Sequence, residues 1–240
     1  MTLELTETAR QLLRARYLLR DEQGQVVETE DELFWRVARA IAAAEAAFPG
    51  RHDEQAIAER FHELMTSRRF LPNTPTLINA GTELGQLMAC FVLPVPDSLD
   101  GIFKALRDAA VIQQSGGGTG FTFTHLRPRG DLVRSTKRPS SGAVSFIRIF
   151  DVASDVIATE SVRGGANMAV LRVDHPDVRE FISAKRDPLA FTHFNFSVLV
   201  TDAFMAAAAE GREFELVNPR TGLAVSTINA KTDRKSTRLN

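Results

Sequence analysis

MACFVLPVPDSLDGIFKALRDAAVIQQSGGGTGFTFTHL, residues 88–126, decides the fold. MACFVLPV is a short apolar run that predicts a buried strand. Asp97 and Ser98 are residues of the kind that cap helices, and they precede a run in which Leu99, Ile102, Phe103, Leu106 and Ala110 share one stripe, predicting a helix from about Leu99 to Gln114. The glycines of SGGGTG break that helix, and FTFTHL starts a second strand. Strand, helix and strand in so short a span predict a parallel crossover unit.

The alternation continues downstream. RPRGDLVRSTKRPSSG (127–142) is a polar, basic loop, and VSFIRIFDVASDVIA (144–158) is helical in pattern. After the loop SVRGGANM come a strand, AVLRV, a short helix, PDVREFISAK, a third clear strand, FNFSVLV, and a capped helix, TDAFMAAAAEG. Upstream the pattern is helical. It predicts helices over 3–20, capped by Thr6 or Thr8, over 30–47 and over 53–67, with a turn at DEQGQ (21–25). FLPNTPTLINAG (70–81), with two prolines and two asparagines, reads as an irregular ordered loop. The chain therefore divides into a helical domain over 1–70 and an α/β region over 71–232. STINAKT (226–232) reads as the cap and start of a further helix. DRKSTRLN (233–240) fits no period and resembles a sequencing adapter translated as protein, so the tail reads as non-native and the α/β pattern as cut off mid-element.

The 240 residues suffice for a sizeable core, and 44% hydrophobic with 25% charged residues is ordinary for a soluble protein. A net charge of −1 gives no global field that would draw the chain onto DNA, RNA or a membrane. An anionic ligand must then be held by local devices. One cysteine, Cys90, excludes an internal disulfide framework and a cysteine metal cluster. His62, His125, His175 and His193 are scattered without ligand spacing, so no metal site is expected. The start of the chain lacks the apolar core of a signal peptide, and no stretch has the length of a membrane span, so a cytoplasmic location is expected.

Four features are candidates for chemistry. SGGGTGF (115–121) is neither a P-loop nor a dinucleotide fingerprint; it reads either as a backbone phosphate cradle or as a helix C-cap and turn. VRGGANM (162–168) places Arg163 beside a glycine turn, suited to an anion or a base, or merely to a surface loop. Arg127, Arg129, Arg134, Lys137 and Arg138 form a local positive patch that suits a triphosphate or simply solvates a loop. Cys90 in its apolar run reads, by itself, as an inert core residue.

The order of these segments goes further. PNTPTLINAGTELGQLMACFVLPVPDSLDGI, IQQSGGGTGFTFTHLRPRGDLV, SSGAVSFIRIFDVASDVI, RGGANMAVLRVDHPDVREFI and FNFSVLVTDAFM in series resemble ribonucleotide reductase large chains. LTETARQLLRARYLLRDEQGQVVET, GGGTGF and GANM resemble the adenosylcobalamin-dependent class in particular. The resemblance implies a helical domain followed by the first half of a ten-stranded α/β barrel. It also implies thiyl-radical reduction of ribonucleotides, as diphosphates, to 2′-deoxyribonucleotides for DNA synthesis, with adenosylcobalamin as cofactor.

Cys90 matches one member of the reducing cysteine pair, whose partner is expected beyond this chain. Substrate contacts are implied for Thr74, Ala89, Cys90 and Gly118. Asp97, Ser98 and Leu99 match the effector-binding start of an interface helix, with Arg127 and Arg134 as phosphate ligands. Val162, Arg163, Gly164, Gly165 and Ala166 match the loop that relays effector identity to the substrate base; many relatives carry two adjacent arginines where this chain has Val162-Arg163. The implied partners are a ribonucleotide, a deoxynucleoside triphosphate or ATP effector, a thioredoxin-like or dithiol reductant, and a second copy of the chain. The family's optional N-terminal ATP-binding module is expected to be absent. The large subunit of the metal-cofactor class shares the same residues and is the alternative. From the residues alone, a non-catalytic nucleotide-binding module is another.

Overall fold

The computed structural model describes residues 4–50, 53–158 and 166–232. The chain forms two compact units, Met1–Ala89 and Cys90–Asn240.

The first unit is helical. α1 (Glu7–Arg16) is capped by Thr6, whose hydroxyl accepts from the Ala9 N–H. α2 (Glu30–Ala42) begins with a capping box in which Thr29 and Glu32 satisfy each other's backbone N–H, and it runs into a 3-10 turn, Ala43–Ala47. Asp53 caps α3 (Glu54–Thr66). The segment read as an irregular loop instead holds a helix, α4 (Thr74–Asn79), because Asn73 caps it and Pro75 falls in the first turn, where a missing N–H does no harm. Leu33, Phe34, Val37, Ala38, Met65, Leu77 and Ala80 form this unit's core, with Leu87 against it. Residues 71–89 thus pack with the helices, so the division falls after Ala89 rather than at residue 70.

The second unit is built on a four-stranded sheet in the order β1 (Cys90–Pro94), β2 (Gly118–Thr122), β3 (Asn167–Arg172) and β4 (Phe194–Leu199), every pair parallel. α5 (Leu99–Gln114) connects β1 to β2, α6 (Ala143–Ala158) precedes β3, and α7 (Val178–Ser183) lies between β3 and β4. α8 (Asp202–Glu210) is capped by Thr201 and closed by Gly211 at φ +71°, a left-handed position that favours glycine. Phe121, Phe123, Phe150, Phe194 and Phe204 are fully buried in the core, which Ile147 and Leu171 complete.

Three expectations are corrected. β1 is an edge strand among the described residues, with residues alternately exposed and half-buried, so Cys90 is exposed rather than sunk in a buried strand. The buried stripe of α5 is Ile102, Ala105, Ala109 and Gln113, because small alanines let the helix pack closely on α6 and the sheet; Leu99 and Phe103 face outward, 64% and 50% exposed. STINAKT does not start a helix at its serine. Residues through Asn229 belong to β6 (Ala224–Asn229), which pairs antiparallel with β5 (Glu213–Val217), and only residues 230–232 are helical. The open parallel sheet agrees with the expected barrel segment; no closed barrel is formed among the described residues. The adapter-like tail lies outside the described residues.

Candidate functional site

The parallel register sets the geometry of the second unit. Cys90 stands level with Gly118, and Asn167 level with Phe194, so these residues mark one end of the sheet. The glycine run that leads into β2 is shared between two jobs. Gly116 adopts φ +82°, and its N–H donates to the Gln113 carbonyl, which turns the chain out of α5. A Cβ on Gly117 would stand 2.6 Å from Ile112 Cγ2 and 3.0 Å from the Phe91 ring, so close packing there excludes any larger residue. The C-cap reading therefore accounts for Gly116 and Gly117, while Gly118 is already strand, beside Cys90.

Behind this end lies a buried, uncharged cluster. Gln113 Nε2 donates to Asn167 Oδ1 at 2.8 Å and to Thr119 Oγ1 at 3.1 Å. The Thr119 hydroxyl donates to Asn167 Oδ1, and Asn167 Nδ2 donates to Ser154 Oγ at 2.7 Å. One side chain from each of α5, β2, α6 and β3 is thereby tied to the others. Only Gln113 Oε1 lacks a partner among the buried side-chain polar atoms described. The expected specificity loop leads into this cluster. Val162, Arg163, Gly164 and Gly165 lie outside the described residues; Ala166 is exposed, and its carbonyl accepts from the Thr119 N–H at 3.0 Å.

The opposite end of the sheet is ionic. Ser98 caps α5 through Gly101 N–H, whereas Asp97, expected to share the cap, is held by Arg127. Its carboxylate accepts from the Arg127 backbone N–H and from Nε at 3.1 and 2.9 Å, and Nη2 stands 2.9 Å from Oδ2. The structure thus brings together the acidic and basic residues expected at the effector site, but pairs them with each other. Leu99 is exposed beside them, and Arg134 is exposed further along the loop. Asp131, in the same loop, is gripped by Arg220 from the β5–β6 turn, with Nε and Nη2 both at 2.8 Å. That grip holds the Asp131 carboxyl well down, at about 2.

Two residues given no role from the sequence prove structural here. His175 is buried; its Nδ1 accepts from the Asp177 N–H at 3.0 Å, so Nε2 is the nitrogen that donates, to the Leu126 carbonyl at 2.8 Å. The buried Asp177 carboxylate accepts from the Arg129 N–H and from the Ala143 N–H, both at 3.0 Å, so one side chain holds both ends of the basic loop and caps α6. A histidine and an aspartate flanking a proline, as in His175-Pro176-Asp177, are a turn signal that could have marked them. Arg220 carried no local signal, since its partner lies far off in sequence.

In the first unit, α4 presents Thr74, whose Oγ1 stands 3.2 Å from the Tyr17 hydroxyl. Arg36 fixes the far end of α4: its guanidinium donates to the Leu77 and Ala80 carbonyls while Glu28 neutralises it at 2.7 Å. Ala89 ends the unit, half-buried. Among the described residues no group of three His, Cys, Asp or Glu is placed to hold a metal ion, and no helix is long and apolar enough to cross a membrane.

The sequence matches the ribonucleotide reductase all-α domain over residues 3–85 and the ribonucleotide reductase barrel domain over residues 88–238. The chain belongs to the ribonucleotide reductase family. The two matched segments meet where the two units of the reductase chain divide. It is 50% identical to the vitamin B12-dependent ribonucleoside-diphosphate reductase of Mycobacterium tuberculosis (strain CDC 1551 / Oshkosh) over 95% of this chain and 33% of that protein. It is 41% identical to the protein of the same name from Thermoplasma acidophilum, over 95% of this chain and 37% of the relative. Identity to the ribonucleoside-diphosphate reductase subunit alpha of Helicobacter pylori (strain J99) is 30%, over 85% of this chain and 26% of the relative. The reductase chain thus spans about a third of the length of these vitamin B12-dependent relatives.

Proposed function

We propose that this chain carries the helical domain and the first part of the barrel of an adenosylcobalamin-dependent ribonucleoside-diphosphate reductase. The observation that carries the class is the gap between 50% and 41% identity to two proteins named vitamin B12-dependent and 30% to a subunit alpha. Among the described residues no group of three or more His, Cys, Asp or Glu could hold a metal ion, and the one cysteine lies on β1.

In this reading Cys90 is one of two thiols that reduce the ribose. The pair gives up two electrons and two protons and becomes a disulfide, the 2′-hydroxyl leaves as water, and a thioredoxin-like protein or dithiol restores the thiols. Cys90 stands level with Gly118 at one end of the sheet, which supports grouping the two at one site. Substrate contact is proposed for Thr74, Ala89, Cys90 and Gly118. Asp97, Ser98, Leu99, Arg127 and Arg134 are proposed to hold a deoxynucleoside triphosphate or ATP, with Arg127 exchanging Asp97 for phosphate, and residues 162–166 to pass the effector's identity to the substrate base. Outward-facing Leu99, Phe103 and Val111 on α5, with Val152 and Val156 on α6, support pairing with a second copy; the cytoplasm is the proposed location.

The test is deoxynucleotide formation by the full-length reductase that contains this sequence, with dithiol, with and without adenosylcobalamin. Turnover that requires the cofactor is expected. Turnover without it, dependent on a second radical-generating protein, would transfer the chain to the metal-cofactor class.

A further inference from the structure

The loop between β2 and α6 is a small hairpin. Leu132 bridges Pro139; the Gly130 N–H donates to the Ser140 carbonyl and the Val133 N–H to the Arg138 carbonyl, both at 2.9 Å. Its cations fall into two sets. Arg127 and Arg129, at the base, are engaged by Asp97 and Glu180. Arg134, Lys137 and Arg138, at the tip, are exposed and have no acidic partner among the described residues. An isolated two-stranded hairpin is marginal in water, and three like charges at its tip repel one another. The hairpin's position must therefore come from its anchors.

One anchor is Asp177, at the ends of the loop. The other comes from the turn between β5 and β6. There Asn218 is buried, its side chain accepts from the Arg220 N–H at 2.9 Å, and its carbonyl accepts from the Gly222 N–H at 2.8 Å, so Arg220 projects from a braced turn. Both guanidinium contacts to Asp131 are 2.8 Å, and Asn218 Nδ2 adds a third at 3.3 Å. This forked grip fixes direction as well as distance, which a lysine cannot do.

We propose that Arg220 is a positioning residue for the basic tip: by holding Asp131 it sets Arg134, Lys137 and Arg138 where they bind the phosphates of a nucleoside triphosphate together. The proposal rests on the effector reading above. It adds a residue from a separate hairpin, about eighty positions further along the chain, that acts without touching the ligand. Removing it has two consequences. The hairpin loses its second anchor, and the freed Asp131 carboxylate competes with phosphate for the nearby cations.

The experiment is equilibrium binding of labelled dTTP to the full-length reductase, with a titration of dTTP's effect on substrate preference. Wild type is measured first; if it neither binds nor responds, the effector reading itself has failed and takes the proposal with it. Given binding, Arg220→Ala is expected to raise the dTTP midpoint about five- to tenfold while the response at saturation keeps its size. Arg220→Lys should fall between, and it carries the test if the alanine variant melts early.

Asp131→Asn discriminates positioning from simple charge. Removing an anion beside a phosphate site should tighten binding if only the field matters, but should weaken it if the hairpin must be held. Weakening by both Arg220→Ala and Asp131→Asn, with the double variant no worse than the single ones, supports the proposal. Tighter binding by Asp131→Asn, or an unchanged midpoint in Arg220→Ala, overturns it.

Discussion

The two ends of the parallel sheet are built from different chemistry. Where the strands begin, at Cys90, Gly118 and Asn167, the buried polar groups are neutral: amides and hydroxyls of Gln113, Thr119, Asn167 and Ser154. The exceptions are His193, against Asp151 and Asp155, and Lys185, whose Nζ donates to the Phe191 and Phe194 carbonyls. Where the strands end, the groups are ionic: Asp97 with Arg127, Arg129 with Glu180, Asp131 with Arg220, Arg172 with Asp174. Neutral groups can be sealed from water once their hydrogen bonds are made, whereas sealing charges carries a desolvation penalty that pairing seldom recovers. Partly exposed ion pairs such as Asp97–Arg127 can part at little cost, whereas Arg220, projecting from a braced turn, keeps its hold on Asp131. The difference teaches that one end is fixed and the other is exchangeable, which is what a reaction site and a site for a diffusible anion respectively require.

The largest effect that could break this division is at Cys90. Cys90→Ser in the full-length reductase is expected to abolish multiple turnover while leaving the melting temperature within a few degrees, because serine is nearly isosteric with cysteine. Normal turnover with an external dithiol would return Cys90 to an ordinary strand residue and leave the fixed end without chemistry.

The exchangeable end is tested by Arg127→Ala. Losing one charge-assisted phosphate contact, about 1.5–3 kcal/mol, predicts effector binding weakened about ten- to a hundredfold. The measurement is an effector titration of substrate preference. An unchanged midpoint would mean that the Asp97–Arg127 pair is a permanent strut.

Stability sharpens the contrast. Asn167→Ala strands the Gln113 amide and the Thr119 hydroxyl in the core, at an expected cost of about 2–3 kcal/mol, insensitive to salt. Glu180→Gln removes an exposed partner of Arg129 and should cost about 1 kcal/mol or less, shrinking further in salt. Denaturant melts at low and high ionic strength compare them, and equal costs would erase the distinction.

The last effect is in acid. The Arg220 guanidinium holds Asp131 at about 2 against an ordinary 3.8, so the charged form is favoured in the folded chain. A depressed carboxylate contributes stability that is complete above its unfolded value and is lost as pH falls through the folded one. The stability difference between wild type and Asp131→Asn should therefore be constant above about pH 5 and fade between about 4 and 2. A difference undiminished at pH 2 would show that the charge is not what binds the hairpin.

Much of this was legible in the sequence. Strand–helix alternation predicted the parallel sheet because each parallel crossover needs a helix's worth of chain, and Ser98, Thr201 and Asp53 marked helix starts through local capping chemistry. Where the reading failed, the deciding contacts were distant. α4 was hidden because prolines and asparagines signal turns as readily as first helical turns. The inward stripe of α5 was set by what the helix packs against, so large Leu99 and Phe103 misled while Ala105 and Ala109 carried the contact. Among the candidate residues, Asp97 and Arg127 do meet, but that they would pair with each other, and that Asp177 and Arg220 would hold the loop between them, depended on segments remote in sequence.

Asp177, finally, acts on chain entropy. By taking the N–H groups of both Arg129 and Ala143, its carboxylate closes residues 130–142 into a ring held by hydrogen bonds. Bringing the ends of such a segment together costs about 2 kcal/mol, and folding has already met that cost before any ligand arrives. An anion that docks on the hairpin then need not organise a floppy strap, and its arrival can be limited by encounter rather than by rearrangement of the protein.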